Sequence, residues 1–110
     1  MSLRQKQSEF VWMIADLLHW GKSQGYEFTF AEAYRPVEQA VLMAAQGKGI
    51  KNSLHTIRLA VDLNVFKDGK YLDKTEDLLE LGKYWEEIGG TWGGRFKDGN
   101  HFSLSHNGVK

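Results

Sequence analysis

Ser53-Leu54-His55-Thr56-Ile57-Arg58-Leu59-Ala60-Val61-Asp62-Leu63-Asn64-Val65-Phe66 is the stretch on which the reading of this chain turns. From Arg58 to Phe66 the residues alternate. Leu59, Val61, Leu63 and Val65 fall on one side, and Ala60, Asp62, Asn64 and Phe66 on the other, which predicts a strand. Asp62 breaks the apolar run, and a carboxylate in such a setting is costly unless a charge compensates it. A cation shared with His55, seven residues earlier at the loop-to-strand junction, is one solution. An arginine paired with Asp62 beside a surface His55 is another.

Working outward, Lys67-Asp68-Gly69-Lys70 reads as a hairpin turn, because Asp-Gly supplies the positive φ angles it needs. Tyr71 and Leu72 then begin a return strand. Asp73 with Glu76 has the spacing of a capping box for a helix over 74–88, closed by Gly89-Gly90. A glycine-rich, aromatic segment leads to a final strand from His101 to Leu104. Upstream, Leu3, Phe10, Val11, Ile14, Leu17 and Leu18 recur at helical spacing, which predicts a helix over 4–23 with Gly25 just past its end. Glu27 to Ala33 reads as a short strand. Pro36 stands where a second helix begins, and that helix runs through Gln46 before a loop over 47–54. Helices and short strands in this order predict an α+β domain with helices packed on a small antiparallel sheet.

The chain has 110 residues, 42% hydrophobic and 25% charged, which predicts one globular domain over 1–110 and leaves no room for a second. The absence of cysteine excludes disulfide scaffolds, zinc knuckles and thiol catalysis. Fourteen basic and fourteen acidic side chains give a formal net charge of zero, against a broad nucleic-acid footprint. No apolar run is long enough to span a membrane, and the N-terminal apolar stretch is an amphipathic helix interrupted by Asp16 and His19. Synthesis in the cytoplasm without a signal peptide, and no stable membrane association, are the expectations. His19 reads as structural and His106 as part of a solvated polar tail.

A second cluster is Asp98-Gly99-Asn100-His101-Phe102, where an acid precedes a histidine by three residues across a glycine turn. Catalytic zinc takes three N/O protein ligands and keeps one position open. His55, Asp62 and His101 meet that requirement, with Asp98 as the general base. Neither HExxH nor a Cys/His finger is present. A two-His, one-carboxylate set also suits non-haem iron, although the close His-x-Asp pair usual there is missing.

Ser53-x-His55-x6-Asp62, then Trp92-Gly93-Gly94, then Asp98-x-x-His101-Phe102 resembles the zinc D-Ala-D-Ala carboxypeptidase and L-alanyl-D-glutamate endopeptidase family, VanY-like and of the phage endolysin type. Glu32-Ala33-Tyr34-Arg35-Pro36-Val37-Glu38-Gln39 fits the xYRxxxxQ stretch ahead of that family's metal motif. The resemblance runs from about residue 27 to 103. It implies the hedgehog/DD-peptidase fold and one catalytic zinc, with His55, Asp62 and His101 as ligands and Asp98 as acid/base. It also implies a substrate-binding role for Arg35, a groove-lining place for Ser53 and a rim place for Trp92. Arg58 stands where many relatives have glycine, and Asp98 where a number have glutamate.

The resemblance implies hydrolysis in the peptide stem of peptidoglycan, at the L-Ala–D-Glu bond in the phage-type subgroup, with removal of terminal D-Ala as the alternative. It further implies a monomer that reaches the wall after release through a phage holin. A non-catalytic, zinc-stabilised wall-binding module is the reading from another class. Asp98 weighs against it, because a structural zinc site fills its fourth position with a protein ligand.

Overall fold

The computed structural model describes residues 1–50 and 52–110; of the expected loop over 47–54, Lys51 lies outside the described residues. Helix α1, Leu3–Ser23, opens on a reciprocal cap between Ser2 and Gln5 and buries Phe10, Met13, Ile14 and Leu17. Gln24 caps its end, and Gly25 just beyond takes a φ of 91° in the left-handed region. Strand β1, Tyr26–Phe30, stops short of the expected end at Ala33. Beyond it the ladder continues only through Ala31 N–H to the Asp62 carbonyl (3.0 Å) and Asp62 N–H to the Glu32 carbonyl (2.7 Å). The chain then leaves the sheet, tied by Arg35 N–H to the His55 carbonyl at 3.2 Å. Pro36 is the N-cap of α2, Val37–Ala45, so it sits one place before the helix proper.

A 3-10 turn over Leu54–Ile57 carries His55, where the alternating pattern suggested only a loop and a strand start. Ser53 caps it, and Arg58 closes it at φ 58°. That left-handed residue delays the central strand, so β2 is Ala60–Lys67 instead of starting at Arg58. The expected hairpin forms, with Asp68 and Gly69 both at positive φ and β3 over Lys70–Tyr71. The helix expected over 74–88 divides into a 3-10 turn, Thr75–Leu78, and α3, Leu79–Glu87. Its Asp73–Glu76 capping box is not made. Lys74 holds the cap position without a side-chain bond, while the Thr75 hydroxyl accepts from Gly99 N–H at 3.2 Å. This end of the helix is therefore pinned to the loop bearing Asp98.

Strand β4, Thr91–Trp92, a 3-10 turn, Gly93–Phe96, and β5, His101–Ser103, complete the chain. The sheet order is β1-β2-β5-β4, with β3 paired to β2 and all pairings antiparallel. The architecture is α+β. The core between helices and sheet is built on Leu17, Leu54, Leu59, Leu63, Trp85 and Phe102, all fully buried. The Trp85 indole N–H is shared between the Thr91 and Ser103 carbonyls, both at 3.0 Å, which fastens α3 to the β4–β5 end of the sheet.

Candidate metal centre

Register places the second histidine. In the β2–β5 ladder Asp62 stands directly opposite His101, so the two side chains share one face at close range. His101 Nδ1 lies 3.2 Å from Asp62 Oδ1, and His55 Nε2 reaches the same oxygen at 3.3 Å from the 3-10 turn. The three ligand atoms lie within 4.8 Å of one another, and both histidines are buried. On the far side of His55, Nδ1 faces the Ala33 carbonyl at 3.4 Å, the kind of contact that fixes a tautomer. Asp98 stands at the solvent side of the group, its Oδ2 3.9 Å from His101 Nδ1 and its side chain 51% exposed.

The charges are strongly interdependent. Burial pushes the Asp62 carboxyl up, but hydrogen bonds and charge from His101 and His55 overcome it and hold the group at about 2. Burial pulls His55 down, and the Asp62 hydrogen bond and charge, aided by Glu32, reverse this and raise it above its ordinary value. Asp98 moves the other way. Burial raises its carboxyl, assisted by the Asp62 charge and opposed by His101 and His55. Two carboxylates in one cleft thus differ in basicity, the pattern that separates a fixed anion from a proton carrier.

The donor set fits zinc. Zinc bonds of about 2.0–2.2 Å set tetrahedral ligands roughly 3.3–3.6 Å apart, and the two histidine–aspartate separations, 3.2 and 3.3 Å, lie at the short end of that span. Two imidazole nitrogens aimed at one carboxylate oxygen also need a proton or a cation between them. His55, Asp62 and His101 are the residues that would hold the ion, which supplies Lewis acidity toward a carbonyl oxygen and toward water.

These groups line a cleft of about 320 Å³ that also takes in Arg35, Lys48, Ile50, Ser53 and Phe96. A larger groove of about 400 Å³ beside β1 contains none of the clustered histidines or aspartates. Arg35 is only 9% exposed and is ion-paired with Glu32. Ser53 lines the cleft and accepts from His55 N–H at 3.2 Å, so it also orients the metal-facing turn. Trp92 is a correction to the rim place inferred above. It is 2% exposed, donates to the Gly99 carbonyl at 2.7 Å and packs on Gly82 and Gly94, so it supports the Asp98 loop from beneath. His19 is exposed on α1. His106 is half-buried, its Nδ1 3.3 Å from Lys6 Nζ, so it fastens the C-terminal segment to α1 instead of standing in solvent. Sequence spacing did not mark Glu32, Lys48 or Phe96 as site residues. Glu32 alone carried a signal, three positions before Arg35.

A buried His–Asp–His cluster open toward a carboxylate, carried by paired strands of an antiparallel sheet and the turn before them, is a donor set that suits a metal-dependent hydrolase. A family model described as D-alanyl-D-alanine carboxypeptidase matches residues 46–104, more than half of the sequence and inclusive of His55, Asp62, Asp98 and His101. The chain belongs to this family, and it is accordingly a zinc metallopeptidase acting on peptidoglycan. Among solved structures, the fold is similar to the L-Ala D-Glu endopeptidase ChiX of Serratia marcescens, with a TM-score of 0.73 at 23% identity over 89% of this chain and 79% of that one. It is also similar to a mutant of the vancomycin-resistance D,D-pentapeptidase VanY from a VanB-type cassette, in complex with Zn(II), with a TM-score of 0.62 at 18% identity over 87% and 70% of the two chains. No curated protein matches in sequence.

Proposed function

We propose that the protein is an L-alanyl-D-glutamate endopeptidase of the endolysin type, with His55, Asp62 and His101 holding zinc and Asp98 as the general base and acid. The observation that carries the mechanism is the placement of Asp98, half-exposed at the open side of the cluster with a carboxyl made more basic by burial. Asp98 takes a proton from the attacking water as its oxygen bonds to the peptide carbonyl carbon. It returns that proton to the departing amine as the C–N bond breaks. Arg35, across the cleft, presents a guanidinium to the developing oxyanion or to a peptide carboxylate. Ser53 lines the approach and holds the His55 turn.

The likeness in fold to an L-Ala D-Glu endopeptidase supports the endopeptidase reading. The description of the family model favours a second one, removal of terminal D-Ala, for which Arg35 would grip the terminal carboxylate. On the endolysin reading the protein works as a monomer on the wall after passage through a holin-permeabilised membrane.

Mass spectrometry of purified wall peptides, incubated with zinc and with a chelator, tests the proposal. The expected products carry a new D-Glu amino terminus and appear only with zinc. Loss of terminal D-Ala alone would transfer the assignment to the carboxypeptidase. Asp98→Ala should keep the fold and the zinc while cleavage drops at least ~100-fold; undiminished cleavage removes Asp98 from its role.

A further inference from the structure

Arg35 and His55 reach the cleft from different elements, yet one side chain faces both. Glu32 Oε1 is ion-paired with Arg35 Nη2 and lies 3.7 Å from His55 Nδ1, the ring nitrogen turned away from Asp62. The Glu32 carbonyl accepts from Asp62 N–H at 2.7 Å. A single residue therefore adjoins the guanidinium, one histidine of the cluster and the backbone of its aspartate.

We propose that Glu32 is a positioning residue: its carboxylate holds the Arg35 guanidinium against the wall of the cleft and, opposite His55 Nδ1, keeps Nε2 directed at the metal. The first part rests on the reading of Arg35 as the substrate-binding group. Arg35 is nearly buried, and its Nε is without a hydrogen-bond partner among the described residues. Its orientation depends on the edge that Glu32 grips. Without that anion the guanidinium would be drawn toward Asp62 and Asp98, the carboxylates that line the cleft, and across the space a peptide must enter. The second part is electrostatic. At 3.7 Å the carboxylate is too far for a hydrogen bond, and the nearer Ala33 carbonyl takes that place. A negative charge beyond Nδ1 still favours the tautomer protonated there, leaving the Nε2 lone pair free to donate.

Glu32→Ala and the isosteric Glu32→Gln test this through zinc affinity, measured by competition with a chromogenic chelator, and through KM and kcat on wall peptides. Glu32→Ala should weaken zinc binding ~10-fold or more and raise KM more than it lowers kcat. Glu32→Gln, which retains one acceptor and the volume, should fall between it and the parent and serves if the alanine variant folds poorly. In an Arg35→Ala background the same change should leave KM alone while still weakening zinc, since one effect passes through Arg35 and the other through His55. Zinc binding within twofold of the parent in a folded variant overturns the His55 part, and a full KM rise in the Arg35→Ala background overturns the Arg35 part. A parent chain that binds zinc but cleaves no stem peptide defeats the proposed function instead, and zinc titration still decides the role of Glu32.

Discussion

With zinc stripped by a chelator, the Asp62 carboxylate is left between two imidazoles, and proton linkage governs what that arrangement contributes. A carboxyl lowered on folding stabilises fully above its ordinary 3.8 and loses the contribution as pH falls toward 2. For Asp62, whose side chain is 22% exposed, the shift corresponds to something on the order of 2 kcal/mol. A histidine raised on folding works in the opposite sense. His55 contributes fully below 6.5, and the contribution is lost as pH climbs through its folded value. The chelated protein should thus be most stable between about pH 4 and 6.5, and its melting temperature should fall as pH rises from there toward 8. Zinc displaces the proton between His55 and Asp62, so the melting-temperature gain on adding zinc should grow over the same interval. Melting curves of chelated and zinc-loaded protein measure both trends. A chelated melting temperature that stays flat from pH 6 to 8 would disconnect His55 from Asp62.

At the scale of elements, the part of the site carried by regular structure was legible in the sequence, and the part carried by irregular backbone was not. Alternation across Leu59–Val65 placed Asp62 on one face of a strand, and the short strand at His101 could be read beside it. Their antiparallel register then made the pair. Nothing in the spacing announced the 3-10 turn at His55, because four residues are too few to show a period. Trp92 misled for a related reason. The glycines that admit its indole, Gly82 and Gly94, come from α3 and from the turn after β4, so their convergence exists only in the fold. Gly93 is about as tight but faces backbone, since a Cβ there would collide with the Asp98 carbonyl and crowd His101. Gly93→Ala should accordingly cost about 1–3 kcal/mol and weaken zinc binding, measurable by melting and by chelator competition.

Arg58 shows the same logic in reverse. Its left-handed φ of 58° explains why glycine suits the position, while its guanidinium stacks 4.0 Å above the Tyr34 ring. Arg58→Gly relieves roughly 1–2 kcal/mol of backbone strain but forfeits roughly 0.5–1 from the stack and a similar amount in chain entropy. The two sides nearly cancel, so the melting temperature should move by less than about 5 °C. A larger fall would make the Tyr34 stack the anchor of the segment leading to Arg35.

For the molecule as a whole, a formal net charge of zero hides an uneven distribution. The cleft sets Arg35 and Lys48 near the clustered carboxylates, and with zinc bound the His–Asp–His group gains two further positive charges. Arg35 is already paired with Glu32, which leaves Lys48, on the exposed loop after α2, and Lys110 as the cleft cations without an ion-pair partner among the described residues. Lys48 is the test of action at longer range. A stem peptide bearing free carboxylates should feel that field as it approaches, and an amidated peptide of the same sequence should not. Raising salt from 50 to 500 mM, which shortens the screening length from roughly 14 to 4 Å, should therefore lower kcat/KM for the acidic peptide more than for its amide. Lys48→Glu should reproduce the effect at low salt, raising KM severalfold for the acidic peptide with little change in kcat or melting temperature. Equal salt dependence for the two peptides would mean that recognition begins only at contact, through Arg35 and the metal. In that event Lys48 has no part in substrate capture.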